Sequence, residues 1–492
     1  MKDTRRSSQI SVTLWGIIII YIVIMSTITI NRHYTFRTAA YDLGIFVQSI
    51  WSTISKHGIL YNTIEEFAVC TNTHFGVHFS PILLFLVPIY AIFPYVETLL
   101  IIQTIVIGIS AYPLYLLSKE LLKSEKISLV LVILYLGNSL LHGINGYDFH
   151  EAPFAMPFIF LTAFYIEKEE YKKAILSSIF ILITKEDAGI ALISLGAFYL
   201  MKEEDLLNFR IYIKLLKGKN MNTCKRFSIF LVIIGLLWTI LTTLVIIPSI
   251  SGGFSVDKVF YSGFPCLNFL PRKIFYFLTA SLTLGFLPFL KPKYAILLTS
   301  LPWLEILATC QINMFRIGFQ YPYMLLPLSM ITSMYALRES SKEEIKKLLV
   351  MGVTIGLVTS ILTSPILPLT NPIKKSLLVP PLYHQTVTDH HKKLMETTEL
   401  LSETNFSILT QNDIFPHLAN RKETYVIWSS YCGKKLPNAD IILLDWKLLY
   451  SMYNYFVKNH SKDYIKIYEN DGIEIWIRKE KSNDLKISKL KK

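Results

Sequence analysis

The sequence predicts a polytopic α-helical membrane protein of about eleven spans, with a small extracytoplasmic α/β domain at its C-terminus. Three observations carry that prediction. The 492 residues are 52% hydrophobic and only 17% charged, with a mean hydropathy of +0.42. The charges cluster between long apolar runs, several close to the roughly 20 residues that cross a hydrocarbon core. Beyond residue 369 the composition turns polar and alternating, so residues 1–369 form the membrane domain and residues 370–492 a separate domain.

The first run, Ile17–Ile30 extended back through Ser11–Trp15, follows Lys2, Arg5 and Arg6. It is too long for a signal peptide and reads as an uncleaved first span with a cytoplasmic N-terminus. A large outer loop, residues 31–78, comes next and is poor in Lys and Arg. His78–Phe93 is short and interrupted by Pro81 and Pro88, which predicts a re-entrant or juxtamembrane helix rather than a crossing. Val96–Leu117 leads inward to Lys119, Lys123 and Lys126, Ile127–Leu141 outward, and Pro153–Ile166 inward to Lys168, Lys172 and Lys173. Ala174–Thr184 and Ala188–Met201 are two short spans hinged at Lys185-Glu186-Asp187. Phe227–Pro248 and Leu348–Pro368 are long apolar runs, and in lipid all such segments must be helical to satisfy their backbone groups. Every Lys/Arg-dense loop falls on one face, which makes that face cytoplasmic and the protein a multi-pass component of the plasma membrane. The formal charge of +13 is therefore a topology signal, not a phosphate-binding stripe, and nucleic acid is not an expected partner.

In the tail, a polar helix over His384–Ser402 precedes strands at Phe406–Leu409, Tyr425–Trp428, Ile441–Leu444, Tyr464–Tyr468 and Ile473–Ile477. Asp471-Gly472 between the last two is a hairpin turn, and Trp446–Val457 reads as a helix. Sequons at Asn405-Phe-Ser and Asn459-His-Ser suit an exterior location. The five cysteines show neither CxxC pairs nor zinc-finger spacing and read as isolated thiols.

The polar residues that stand out all map to the outer face: Asp42; His74 and His78; Asp148, His150 and Glu151; and Lys185, Glu186 and Asp187. Ionisable groups at membrane depth are costly beside lipid, so their concentration predicts a polar cavity. Each has a plainer reading. Asp42 also suits the N-cap of a helix over Leu43–Trp51. His74 and His78, four residues apart, place two imidazoles on one helical face, suiting a divalent metal or an interfacial hydrogen-bond pair. Lys185-Glu186-Asp187 is also a self-neutralising turn.

The segments Asp42-Leu-Gly-Ile-Phe, His78-Phe-Ser-Pro, Asp148-Phe-His-Glu, Lys185-Glu-Asp and Phe415-Pro-His-Leu-Ala-Asn-Arg421 together resemble a family of predicted membrane proteins known only as a domain of unknown function, number two-zero-seven-nine. That family is in turn distantly similar to the GT-C glycosyltransferases, multi-span enzymes that use polyprenyl-phosphate-linked sugars. The resemblance implies a GT-C-like fold, with Asp42, Asp148 and Glu151 as catalytic candidates. His74, His78, His150, Lys185, Glu186, Asp187 and Arg316, with Arg37, become candidates for substrate and phosphate contact. It implies a polyprenyl-phosphate-linked sugar donor and an acceptor in a lipid setting. Asp42 stands alone where many GT-C enzymes carry a spaced acidic pair, so a divalent metal remains an open expectation. The competing classes are a multi-span transporter, whose signature is paired broken helices, and a non-enzymatic envelope or assembly protein.

Overall fold

The computed structural model describes residues 2–204, 221–253, 265–426, 433–435, 437–448, 453–454 and 461–482. Helix α1 (Lys2–Tyr34) leads into the outer loop, which folds into α2 (Ile45–Ile54) and α3 (Thr63–Val69). There follow α4 (Leu83–Ile92), α5 (Val96–Ile109), α6 (Ala111–Leu122), α7 (Glu125–Leu136), α8 (Ser139–Gly146), α9 (Ala155–Glu167), α10 (Tyr171–Leu182) and α11 (Gly189–Met201). The membrane domain closes with α12 (Thr223–Leu241), α13 (Leu270–Leu282), α14 (Pro292–Leu307), α15 (Leu325–Arg338) and α16 (Lys342–Thr363).

Among the described residues, four helices are long and apolar enough to cross a membrane: Ile10–Tyr34, Val96–Leu122, Thr223–Ile250 and Glu343–Thr363. The α7–α8 pair, bent by 52°, makes a fifth if it is one span. The other membrane-domain helices are shorter, so length supports four or five full spans rather than eleven. Helix α4 has ten residues with Pro88 inside. That is roughly 15 Å of helix against a core of about 30 Å, in keeping with a helix that does not cross.

Helix α15 sits at the centre, with every residue from Leu325 to Leu337 buried. Its Thr332 and Ser333 hydroxyls donate to carbonyls one turn back, at 2.8 Å each, so the helix satisfies its own polar atoms in an apolar setting. Helices α11 and α12 touch backbone to backbone. A Cβ on Gly189 would lie 2.4 Å from the Gly235 carbonyl oxygen, and one on Gly196 2.6 Å from that of Ser228. Small residues allow this approach where dispersion, rather than expulsion of water, holds helices together.

The tail forms α17 (Asp389–Ser402) and a five-stranded sheet of order β2-β1-β3-β5-β4. Its strands are β1 (Ile408–Thr410), β2 (Thr424–Val426), β3 (Ile441–Asp445), β4 (Tyr464–Asn470) and β5 (Ile473–Arg478). β1 pairs in parallel with β2 and β3, while β5 pairs antiparallel with β3 and β4. Asp471 and Gly472 at φ 57° and 97° make the expected hairpin turn. Most of the expected helix Trp446–Val457, and Asn459, lie outside the described residues.

The reading of the cysteines as isolated thiols is corrected. Cys266 and Cys310 form a disulfide across 44 residues, and Cys70 is also disulfide-bonded. Folding of α13 and α14 brings the first pair together, which no short-range spacing could signal. Among the described residues, Cys224 is a free thiol.

Candidate functional site

A cavity of about 890 Å³ opens where the outer loop meets the ends of α11, α12 and α14. It is lined by Asp42, His74, His78, His150, Glu151, Lys185, Glu186 and Asp187, so residues up to 145 positions apart converge. Glu65, Glu305, Tyr321 and Tyr323 join them.

Local structure explains the placement. Asn62 caps α3, accepting from the Glu65 backbone N–H at 2.8 Å. Its amide also donates to Glu65 Oε2 at 2.6 Å, which aims Glu65 Oε1 at His74 Nδ1, 2.8 Å away. Burial opposes charge on His74, but the Glu65 carboxylate outweighs it and raises the imidazole above its ordinary value. One turn on, His78 Nδ1 lies 2.7 Å from Glu186 Oε1, and the Phe79 N–H donates to Glu186 Oε2 at 3.1 Å. Burial alone would raise the Glu186 carboxyl, yet His78 and Lys185 hold it at about 2.

His150 Nε2 meets Asp42 Oδ1 at 3.1 Å. Asp42 lies in a π-helical turn over Ala40–Gly44 that runs into α2. It does not cap: the N-cap of α2 is Gly44, with no side-chain cap bond. Lys185 lies 3.5 Å from Asp187, whose carboxylate accepts from the Tyr323 hydroxyl at 2.5 Å and shares a hydrogen bond with Glu305.

Three sequence candidates, Asp148, Arg316 and Arg37, are not brought to the cavity. Asp148 adopts a left-handed backbone, φ 50°, and turns its carboxylate toward α1. Arg32 Nη2 donates to Asp148 Oδ1 at 3.0 Å, and the Ala39 N–H to Oδ2 at 2.7 Å. Arg316 donates to the Leu378 carbonyl through Nε at 2.9 Å and to Asn313 through Nη1 at 2.8 Å, fastening the segment after α16. Arg37 likewise donates to the carbonyls of Pro381 and Tyr383, at 3.2 and 3.0 Å. Glu305 was missed, although a carboxylate within the apolar run Pro302-Trp-Leu-Glu-Ile-Leu307 is itself a signal of an interior polar site. Among the described residues, no three His, Cys, Asp or Glu side chains are grouped as a ready-made metal site.

The tail closes the outer loop from above. Phe415 packs against Gly44, where an added Cβ would lie 2.7 Å from its ring. His417 stacks between His33 and Phe36, with ring centres 3.9 and 4.0 Å away. Asn420 accepts from the Tyr90 hydroxyl at 2.9 Å, and Gln48 donates to the Arg421 carbonyl at 2.9 Å. The segment Phe415–Arg421 is thus the docking element that fixes the turn bearing Asp42.

Ile190, Ile193, Leu236, Leu301 and Leu304 add an apolar part to the cavity lining. Helix α11 packs along both α12 and α14. Leu236 of α12 and Leu304 of α14 line the cavity and are 44% and 52% exposed.

No curated protein matches the chain. The profile of the family described as "Predicted membrane protein (DUF2079)" matches residues 32–485, a stretch that holds the outer loop, every cavity residue and the docking segment. The chain belongs to that family of predicted membrane proteins.

Proposed function

We propose that the protein is a membrane glycosyltransferase that moves a sugar from a polyprenyl-phosphate-linked donor to an acceptor at the outer face of the plasma membrane. One observation carries the reading: a single cavity joins a cluster of carboxylates and imidazoles to apolar side chains of α11, α12 and α14. A lipid tail would lie along Leu236, Leu301 and Leu304, leaving its head group among Asp42, His150 and Lys185. The distant GT-C similarity and the outer loop's position agree with it.

In this reaction an acceptor hydroxyl attacks the sugar's anomeric carbon and the bond from that carbon to the phosphate oxygen breaks. Asp42 takes the acceptor's proton, and the lipid phosphate leaves with the bonding electron pair. His150, 3.1 Å from Asp42, holds the base in position, and Lys185 meets the departing phosphate. Orientation is supported by the thiols. Cys70, Cys266 and Cys310 are disulfide-bonded near the cavity, whereas the free Cys224 lies beside the basic residues Lys225 and Arg226. The N-terminus is then cytoplasmic and the tail domain outside.

The test uses purified protein in lipid, a panel of polyprenyl-phosphate sugars and release of the lipid phosphate. Asp42→Asn, which keeps size and hydrogen bonding, lowers turnover by roughly 100-fold or more with folding intact. Unchanged turnover in Asp42→Asn moves the base to Glu151. No turnover with any donor, together with solute flux that depends on Lys185 and Glu186, makes the protein a transporter instead.

A further inference from the structure

The proposed reaction requires the sugar to lie between Asp42, which takes the acceptor's proton, and Lys185, which meets the departing phosphate. Tyr321 occupies that interval. It lines the cavity, and its hydroxyl is within electrostatic reach of both the Asp42 carboxylate and the Lys185 ammonium. Its neighbour Gln320 also lines the cavity. Gln320 Oε1 is buried with no hydrogen-bond partner among the described residues. An amide oxygen withdrawn from water without a partner is costly, and a donor on a ligand removes that cost.

The segment that carries these two residues is held in place. It links α14 to α15 through two short helical turns, Ile312–Phe315 and Tyr321–Tyr323. Irregular backbone of this kind is tolerated at membrane depth where it is buried in protein or lines a cavity. Gly318, at φ 124°, allows a close fit: a Cβ there would lie 2.5 Å from the Pro380 ring, and one on Gly143 of α8 would lie 2.6 Å from the Gly318 backbone. The Phe319 ring centre lies 6.3 Å from that of Tyr321 and 4.3 Å from that of Tyr147, with the Arg316 guanidinium over the Phe319 ring at 4.9 Å. The Tyr323 N–H donates to the Gln320 carbonyl at 3.1 Å, and the Tyr323 hydroxyl is anchored on Asp187. Contacts arranged in advance lose little freedom when a ligand arrives.

We propose that Gln320 and Tyr321 hold the transferred sugar, its ring packed on Tyr321 and one of its hydroxyls donating to Gln320 Oε1, and that this contact selects which sugar is used. The inference rests on the glycosyltransferase reading, since Asp42 and Lys185 mark the two ends of the reacting bonds. Sugar C–H groups carry slight positive charge and suit the negative face of an aromatic ring. Both side chains are neutral, so the sugar they fit presents hydroxyls there. A sugar carboxylate would meet Asp42, Glu151 and Glu186 in the same cavity, while Arg37 and Arg316 are tied to backbone carbonyls elsewhere. A neutral hexose is the class that fits. A site built to accept from a hydroxyl rejects the analogue that lacks it, because its own acceptor is then left unpaired.

The probes are polyprenyl-phosphate glucose, mannose and galactose, each with a series in which one hydroxyl in turn is replaced by hydrogen, added to full-length protein in nanodiscs. Binding is read from radiolabelled donor and turnover from release of the lipid phosphate. For the best donor, loss of one particular hydroxyl should lower kcat/KM about 10- to 100-fold. In Gln320→Met, which keeps the length and removes the amide, the full and deoxy sugars should be used equally, with the pH profile of the parent. Tyr321→Leu should raise KM for every member of the series. Gln320→Ala, which adds no bulk, gives the same reading if methionine does not fit. Equal use of all deoxy donors by the unsubstituted protein, or a hydroxyl penalty that persists in the Gln320 variants, overturns the subsite while the turnover itself keeps the transferase. Donor binding with a Gln320-dependent hydroxyl preference but no turnover keeps Gln320 and Tyr321 as a sugar site and removes the transferase.

Discussion

Asp148 separates a catalytic carboxylate from a structural one. Its position at the outer end of a span made it a catalytic candidate in sequence, but in the fold its carboxylate lies 3.0 Å from the Arg32 guanidinium. The two side chains are 1% and 7% exposed, respectively. At that distance and an effective dielectric constant of about 20, the attraction is about 5.5 kcal/mol, much of it offset by desolvation of both ions. Removing one partner leaves the other charge buried and costs about 3–5 kcal/mol. Asp148→Asn is the clean perturbation. Asn tolerates the left-handed backbone at φ 50° and nearly preserves shape, so the change removes the charge and one hydrogen-bond acceptor. It also forces the Arg32 and Ala39 donors to compete for one oxygen. The melting midpoint in detergent should fall by several degrees, with turnover reduced only in proportion to the folded fraction. Arg32→Met combined with Asp148→Asn should recover most of the loss, because it removes both buried charges. An Asp148→Asn protein that melts like the parent but has lost turnover would refute this and return Asp148 to catalysis.

Four further outcomes are expected. Burial lifts the Asp413 carboxyl to about 7, with the Asp445 charge adding to the effect. A carboxyl whose folded value is raised stabilises fully below its unfolded value near 4 and loses that contribution as pH rises through about 7; thermal melts across pH 4–8 should show this slope, and Asp413→Asn should flatten it. Arg421 donates to the carbonyls of Leu401, Ser402, Thr404 and Phe406, at 2.5–2.8 Å, around the C-terminus of α17. A lysine cannot reproduce this fork, so Arg421→Lys should speed hydrogen exchange over residues 398–406 and leave the membrane helices unchanged; equal exchange would remove Arg421 from that role. After reduction of intact cells, a membrane-impermeant maleimide should label Cys70, Cys266 or Cys310, and reach Cys224 only after permeabilisation. The opposite pattern would invert the orientation. Exchanging Cys266 and Cys310 for serine should cost about 4 kcal/mol, the loop-closure value for a bridge of this span.

Much of the architecture is local, and local features are legible. Apolar runs and flanking Lys/Arg marked the long helices because a bilayer imposes one length and one backbone solution. The Asp471-Gly472 hairpin was equally plain, since few residues accept two successive positive φ values. Shorter helices were harder to assign. Gly189 and Gly196 give no length signal, yet they let α11 seat against α12 through direct backbone contact.

The sequence by itself predicted that its costly charges gather in one polar cavity. It named Asp42, His74, His78, His150, Glu151 and the Lys185–Asp187 turn, all of which line it. Only the tertiary structure decided which carboxylate faces which partner. Asp148 and Glu151 are three residues apart, yet one neutralises Arg32 and the other lines the cavity with an oxygen that has no hydrogen-bond partner among the described residues. Nor could the sequence show that Phe415–Arg421 docks on Gly44 and His33, or that Cys266 meets Cys310. The physical reason is the same in each case. Membrane insertion responds to composition summed along a segment, whereas pairing depends on distances of about 3 Å that are set by how separate segments pack.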